Sequence, residues 1–362
     1  MRRELGMMVA LFVLCLGLWW SNHNFIGESN VFNTSRQISM LGILAIGSAF
    51  VIVTGGIDLS VGSMVGLTGV ILAKVSSTAE GGLAHPLWMG ISAAMGVALA
   101  IGLAQGLLIT RLNLQPFIVT LGGMLTLRGV SQTIVHGGNI SYSSFRSFAN
   151  ASILQIDGEP VLPLLLLIFL AVVAVSAYLL HFTVFGRYLY AIGGNRDAAQ
   201  YSGVPVKRVE TITYVISAGL AGVAGVCYAS YINQMDHNVG VAFELSAIAA
   251  CVLGGCSLRG GEGTVFGVII GTGLMKVIED GLDMFQIRYR DARGIARFWH
   301  PDDNWKYIVI GAVILIAVIL DQVVHLVQQR RRTRGTAAPT VPPTGGFPVM
   351  PPSEPKIGAT PP

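Results

Sequence analysis

The stretch Thr54-Gly55-Gly56-Ile57-Asp58-Leu59-Ser60-Val61-Gly62 places a carboxylate and hydroxyl groups between two apolar runs, roughly 38–53 and 61–75. An ionised carboxylate accepts several hydrogen bonds, and such charge-assisted bonds are the stronger kind. Inside an apolar region such a group is costly and needs a reason. Asp58 therefore reads either as a buried cap that holds the interruption in shape or as a pathway residue. Gly55 and Gly56 permit backbone angles that end a helix. Asp58 and Ser60 can cap the start of the next. A second stretch, Gly254-Gly255-Cys256-Ser257-Leu258-Arg259-Gly260-Gly261, echoes the first, with Gly254 opposite Gly55 and Gly255 opposite Gly56. Paired interrupted segments in the two halves of a transporter point to the substrate pathway. Gly55, Gly56, Asp58, Ser60, Gly62, Gly254, Gly255, Ser257, Gly260 and Gly261 form this first candidate set, with a chance echo as the alternative.

A third stretch is polar and lies between apolar runs: Ala191-Ile192-Gly193-Gly194-Asn195-Arg196-Asp197-Ala198-Ala199-Gln200-Tyr201-Ser202-Gly203-Val204. Asn195 or Asp197 can cap a short helix through Ala198, Ala199 and Gln200, and Gly203 suits the position after it. Such a helix, lying parallel to a membrane, fits a groove of another protein; a plain amphipathic connector is the alternative. Within the whole loop, 186–209, the docking candidates are Gly193, Gly194, Asn195, Ala198, Ala199, Gly203 and Val204.

Other chemistries lack their residues. No lysine follows a glycine, so there is no Gly-Lys-Ser/Thr phosphate loop. No HExxH or other ligand spacing suggests a metal, and no Gly-x-Ser-x-Gly suggests a hydrolase. No basic-aromatic patch suggests nucleic acid. The expectation is a non-enzyme without a cofactor of its own. Cys15, Cys227, Cys251 and Cys256 form no CxxC and read as small core residues.

The elements that must position these stretches are membrane helices. The chain of 362 residues is 52% hydrophobic and 12% charged, with 45 glycines, and its mean hydropathy is +0.65. Soluble domains carry about 25% charged residues. Long continuous apolar runs favour helices over a barrel. About ten segments are expected, near 5–21, 38–54, 61–76, 87–110, 117–135, 161–182, 210–232, 243–255, 264–282 and 305–328. The short pairs around 55–60 and 256–263 could each form one broken helix. Arg2 and Arg3, Arg111, Arg187 to Arg208, and Arg330 to Arg334 then fall on one side, which the positive-inside rule makes cytoplasmic, with both termini. The loop 288–304, with Arg288, Arg290, Arg293 and Arg297, disagrees. The first apolar run lacks a small-residue cleavage site and reads as an uncleaved helix. Small residues at spacing four (Gly263, Gly267 and Gly271; Gly102 and Gly106; Ser217, Ala221, Gly225 and Ala229) suit close helix packing, within the bundle or across a dimer face. Residues 1–332 read as the transmembrane domain and 333–362 as a disordered proline-rich cytoplasmic tail.

The three stretches also carry a resemblance. Thr-Gly-Gly-Ile-Asp-Leu-Ser-Val-Gly, the loop Ala191 to Val204 and the run Leu253 to Gly263 resemble motifs of the ribose-type permeases, in family order. These are the membrane subunits of bacterial ABC importers for monosaccharides. The likeness covers roughly residues 5–328. It departs at Cys256, where the family more often has a small hydroxyl residue, and at 286–304, which is longer and more charged. The resemblance implies an all-α polytopic inner-membrane protein whose loop 186–209 holds the helix that docks on the ATPase subunit. Implied partners are that ATPase, which binds the ATP, a second permease subunit, an extracytoplasmic sugar-binding protein and the lipid membrane. Alternatives are an ABC permease for another small polar solute, such as a sugar-like signal or a branched-chain amino acid, and an ion-coupled secondary transporter.

Overall fold

The computed structural model describes residues 2–323, apart from 80, 142–144, 157–158, 233, 286, 291–295, 300, 302–304, 317 and 320–321. The tail 333–362 and the end of the last expected segment lie outside the described residues. The main compact unit, Met1–Val318, is a helical bundle. Its long helices are α1 (Arg2–Ser21), α2 (Glu28–Val53), α3 (Val61–Ser76), α4 (Leu87–Arg111), α5 (Pro116–Ile134), α7 (Leu164–Phe182), α10 (Val206–Ile232) and α12 (Val265–Met284). Shorter helices are α6 (Arg146–Asn150), α8 (Val184–Gly194), α9 (Arg196–Tyr201), α11 (Phe243–Leu253) and α13 (Trp305–Ile316). Three two-stranded antiparallel pairs decorate the connections: β1 (Asn139–Ser141) with β4 (Gln234–Asp236), β2 (Ser152–Ile156) with β3 (Glu159–Pro163), and β5 (Ile287–Arg290) with β6 (Ala296–Trp299). The charged loop 286–304 thus contains the β5–β6 hairpin.

The helical class expected from composition holds, but the count of about ten spans is not reproduced. Among the described residues, five helices are long and apolar enough to cross a membrane by length and composition: Glu4–Ser21, α2, α4, α7 and α10. Three further apolar helices, α3, α11 and α13, are shorter. Of the two remaining long helices, α5 carries Arg128, and α12 carries Lys276, Glu279, Asp280 and Asp283, which lower its hydropathy.

The core is α10 with α2, α3 and α4 packed around it. Helices in lipid gain little from burying apolar surface against one another, so close approach through small residues carries the packing. The spacing-four residues do this inside the bundle. A Cβ on Gly102 would strike Ala218 at 2.6 Å and the Tyr214 carbonyl at 2.8 Å. One on Gly225 would strike the Val65 carbonyl at 2.6 Å, and Gly267 and Gly271 face Gly254 and Ala250. These stripes join α4 to α10, α10 to α3 and α12 to α11.

The two glycine interruptions are reversals, so each flanking run is a helix of its own, as the segment count has it, and not half of one broken helix. Along α10, Ser217 lies against Gly47 of α2, and Tyr231 lies near Gln37. α2 therefore runs antiparallel to α10. Gly225 lies against Val65 and Thr68 of α3, while Ser217 reaches Asp58, so α3 runs back alongside α10. The second pair, α11 and α12, packs side by side. Each apolar run is too short to distinguish a break from a turn by hydropathy alone. α11 has only 11 residues. Its start meets the start of α3, since a Cβ on Gly62 would lie 2.5 Å from the Gly240 carbonyl and 3.1 Å from the Glu244 nitrogen.

Candidate functional site

The end of α2 has the geometry of a Schellman motif. Gly55 sits at φ +83°, its N–H donates to the Ile52 carbonyl (2.8 Å), and the Gly56 N–H donates to the Val51 carbonyl (3.1 Å). Only glycine adopts this left-handed position without strain. The end of α11 repeats it, but one residue later than the sequence echo suggests. Gly255 has φ +83° and donates to the Val252 carbonyl (2.9 Å), while Cys256 donates to the Cys251 carbonyl (2.9 Å). Gly255 is thus the counterpart of Gly55, and Cys256 of Gly56. Residue type aligned the glycine pairs; the left-handed position aligns the structures.

Asp58 lies in the reversal between α2 and α3 and is 3% exposed. Its Oδ1 accepts from the Ser60 N–H (2.9 Å) and the Ser60 hydroxyl (2.7 Å); its Oδ2 accepts from the Ser217 hydroxyl of α10 (2.9 Å). The carboxylate therefore ties the reversal to the central helix across 159 positions of sequence. It does not cap α3. Ser60 occupies the N-cap position and makes no side-chain cap bond. The adjacent cavity, of about 330 Å³, is lined by Thr54, Gly55, Gly56, Tyr214, Arg196 and Glu210 among others, and its lining does not include Asp58. The buried-cap reading of Asp58, fastening the turn rather than the helix, is the one its contacts fit.

The polar loop folds as α8 and α9. α8 buries Gly186, Leu189 and Ile192. Asn195 caps α9, its Oδ1 accepting from the Ala198 N–H at 2.9 Å. Ala199 points inward, and Gly203 follows at φ +84°. The other expected docking residues, Gly194, Asn195 and Ala198, are exposed, and Val204 is half-buried.

The three stretches, far apart in sequence, meet at one point. The Gly261 N–H donates to the Val53 carbonyl at 2.8 Å, satisfying an acceptor that the end of α2 leaves free. A Cβ on Gly193 would fall on that same carbonyl and against the Gly261 nitrogen. A Cβ on Gly260 would lie 2.7 Å from the Gly55 nitrogen and 3.0 Å from the Gly193 Cα; one on Gly261 would lie 3.0 Å from the Gly194 nitrogen. Backbone touches backbone here, with no side chain between. Displacing α8 must therefore displace the end of α2 and the loop 254–263.

Four residues outside the expected set complete the arrangement. The Tyr190 hydroxyl donates to the Gly263 carbonyl at 2.6 Å. Arg196 grips Glu210, the fifth residue of α10, with two parallel bonds, Nε to Oε1 at 2.8 Å and Nη2 to Oε2 at 3.0 Å. That hydrogen-bonded carboxylate raises the guanidinium's pKa above its already high value, so Arg196 stays charged at neutral pH. Tyr201 is 91% exposed, a large aromatic ring presented to solvent at the end of α9. The sequence signal for Tyr201 was an aromatic residue in an otherwise small and polar helix. Glu210 gave none, because its partner lies across a turn.

Residues 30–318 match a family described as the permease component of a branched-chain amino acid transport system. The ribose import permease protein of Escherichia coli is 34% identical over 315 residues, covering 87% of this chain and 92% of its own length. That of Bacillus subtilis is 35% identical over 330 residues, covering 88% and 93%. The galactose/methyl galactoside import permease protein of Salmonella typhimurium is 34% identical over 331 residues, covering 88% and 94%. No solved structure matches. The chain belongs to this permease family. Its members are inner-membrane transport subunits of ABC importers rather than enzymes, which implies an ATPase and a binding protein as partners.

Proposed function

We propose that this permease carries a monosaccharide inward across the bacterial inner membrane, driven by ATP bound on a separate ATPase subunit. The observation that carries this reading is the contact of Gly193 and Gly194 with the Val53 end of α2 and with Gly260 and Gly261. It joins an exposed helix, α9, rigidly to both glycine reversals. In this reading α9 docks in a groove of the ATPase through Asn195, Ala198 and Tyr201. When the ATPase closes on ATP, motion of α9 reaches α10 through the Arg196–Glu210 fork and reaches α2 and α11–α12 through the glycine junction. A second permease subunit completes the assembly, and an extracytoplasmic binding protein delivers the sugar. The termini lie in the cytoplasm, the side on which Arg111, Arg187, Lys207 and Arg208 cluster around α8–α9.

The sugar reading rests on the curated relatives, which are named for ribose and galactose import. A second reading, a branched-chain amino acid, follows from the family's description. Uptake of radiolabelled D-ribose, D-galactose and L-leucine by cells with and without the ATPase tests both. Sugar uptake that vanishes without the ATPase, and persists when ion gradients are collapsed with ATP held, is expected. Uptake that survives loss of the ATPase overturns the proposal, and leucine uptake alone selects the second reading.

A further inference from the structure

A second cavity, of about 210 Å³, lies in the half of the bundle away from α8–α9, among α2, α3, α10, α11 and α12. Gln37 on its wall is sixteen residues before Val53, about 24 Å of helix from the glycine junction. The floor is apolar, from Met40, Leu44 and Val65. The walls are aromatic. Tyr228 and Phe243 stand edge to face with centroids 5.1 Å apart, and Tyr231 lies 6.2 Å from Tyr228. The rest of the lining is polar: Gln37, Ser246, and the pair Lys276–Glu279, whose Nζ and Oε2 are 2.5 Å apart on one turn of α12.

An ion pair in the interior of a membrane bundle is costly and marks a functional site by default. This pair is neutral overall, so a neutral ligand strands no charge. The ammonium has three donors and spends one on Glu279; the carboxylate keeps acceptor sites free. Each hydroxyl of a sugar both donates and accepts, which suits that mixture. Its ring also has a C–H face, which suits the aromatic wall. The volume is below the roughly 300–1,000 Å³ of sites for drug-sized ligands, consistent with one sugar ring. We propose that this cavity is a monosaccharide-binding subsite on the route through the permease, with Lys276 and Glu279 bonding hydroxyls and Tyr228 and Phe243 packing on the ring. This rests on the sugar-import reading above and adds the residues that hold the cargo.

The test uses cells carrying the complete importer. Uptake of radiolabelled D-ribose and D-galactose is compared between wild type, Glu279→Gln and Tyr228→Ala at matched membrane abundance. The expected result is a KM raised about tenfold in Glu279→Gln, the loss of one good bond to a charged group, and raised severalfold in Tyr228→Ala, the loss of the aromatic wall that packs on the ring. A Ser246→Cys variant, read against the native cysteines of wild type, is labelled with a membrane-impermeant maleimide. Saturating transported sugar should cut that labelling severalfold, and this readout decides alone if the other two variants fail to reach the membrane. Wild-type KM in both variants, or labelling unchanged by sugar, overturns the subsite while wild-type sugar uptake leaves the import reading standing. A wild-type importer that takes up leucine and neither sugar overturns both.

Discussion

Adding one methyl group at Gly193 is the sharpest perturbation of the junction. Its Cβ would land on the Val53 carbonyl and against the Gly261 nitrogen, the two ends of the 2.8 Å bond that joins α2 to the loop 254–263. Overpacking of this kind costs about 1–3 kcal/mol. Loss of the bond adds about 1 kcal/mol. The sum, about 2–4 kcal/mol, changes a conformational equilibrium by roughly thirty-fold or more. Gly194 is the internal control, since a Cβ there meets nothing within 4 Å. Gly193→Ala should lower the melting temperature of the solubilised permease and uncouple ATP hydrolysis from uptake, while Gly194→Ala should leave the melting temperature unchanged. Equal behaviour of the two variants in the isolated permease would refute the reasoning, because sequence alone makes the two glycines alike.

Three further outcomes are expected. Arg196→Lys should lose the parallel fork to Glu210 and weaken transmission severalfold at unchanged abundance. Its stability cost should be small, about 0.5–1 kcal/mol, because the guanidinium is half exposed and screened; uptake and ATPase rates measured together check it. Asp58→Asn should lower uptake severalfold, since its amide nitrogen cannot accept from Ser217, and Asp58→Ala should lower membrane abundance as well by orphaning the Ser60 and Ser217 donors. Uptake at the wild-type level by Asp58→Asn at equal expression would show that the charge plays no part. Tyr201→Ala should reduce co-purification of the ATPase while leaving the melting temperature unchanged, because the ring touches solvent.

The sequence carried the local part of this design. Gly55, Gly203 and Asn195 each stand where a backbone angle or a cap requires that residue type, and the structure places all three as expected. It did not carry what depends on long-range topology. The runs 38–53 and 61–75 are equally apolar whether the chain continues or turns back, so a reversal and a break both stayed open. The echo was aligned on glycine identity, whereas the left-handed position sets the true register, with Cys256 where Gly56 would be. Asp58 was legible as a buried cap, but its partner Ser217 was not, because nothing local links them. The convergence of Val53, Gly193 and Gly261 was hidden for the same reason, although each glycine was already suspect.

A photo-crosslinking amino acid placed at Tyr201 in the assembled importer tests the central claim most directly. The account predicts an ATP-sensitive adduct between α9 and the ATPase subunit. An adduct with lipid or with the binding protein, and none with the ATPase, would contradict it.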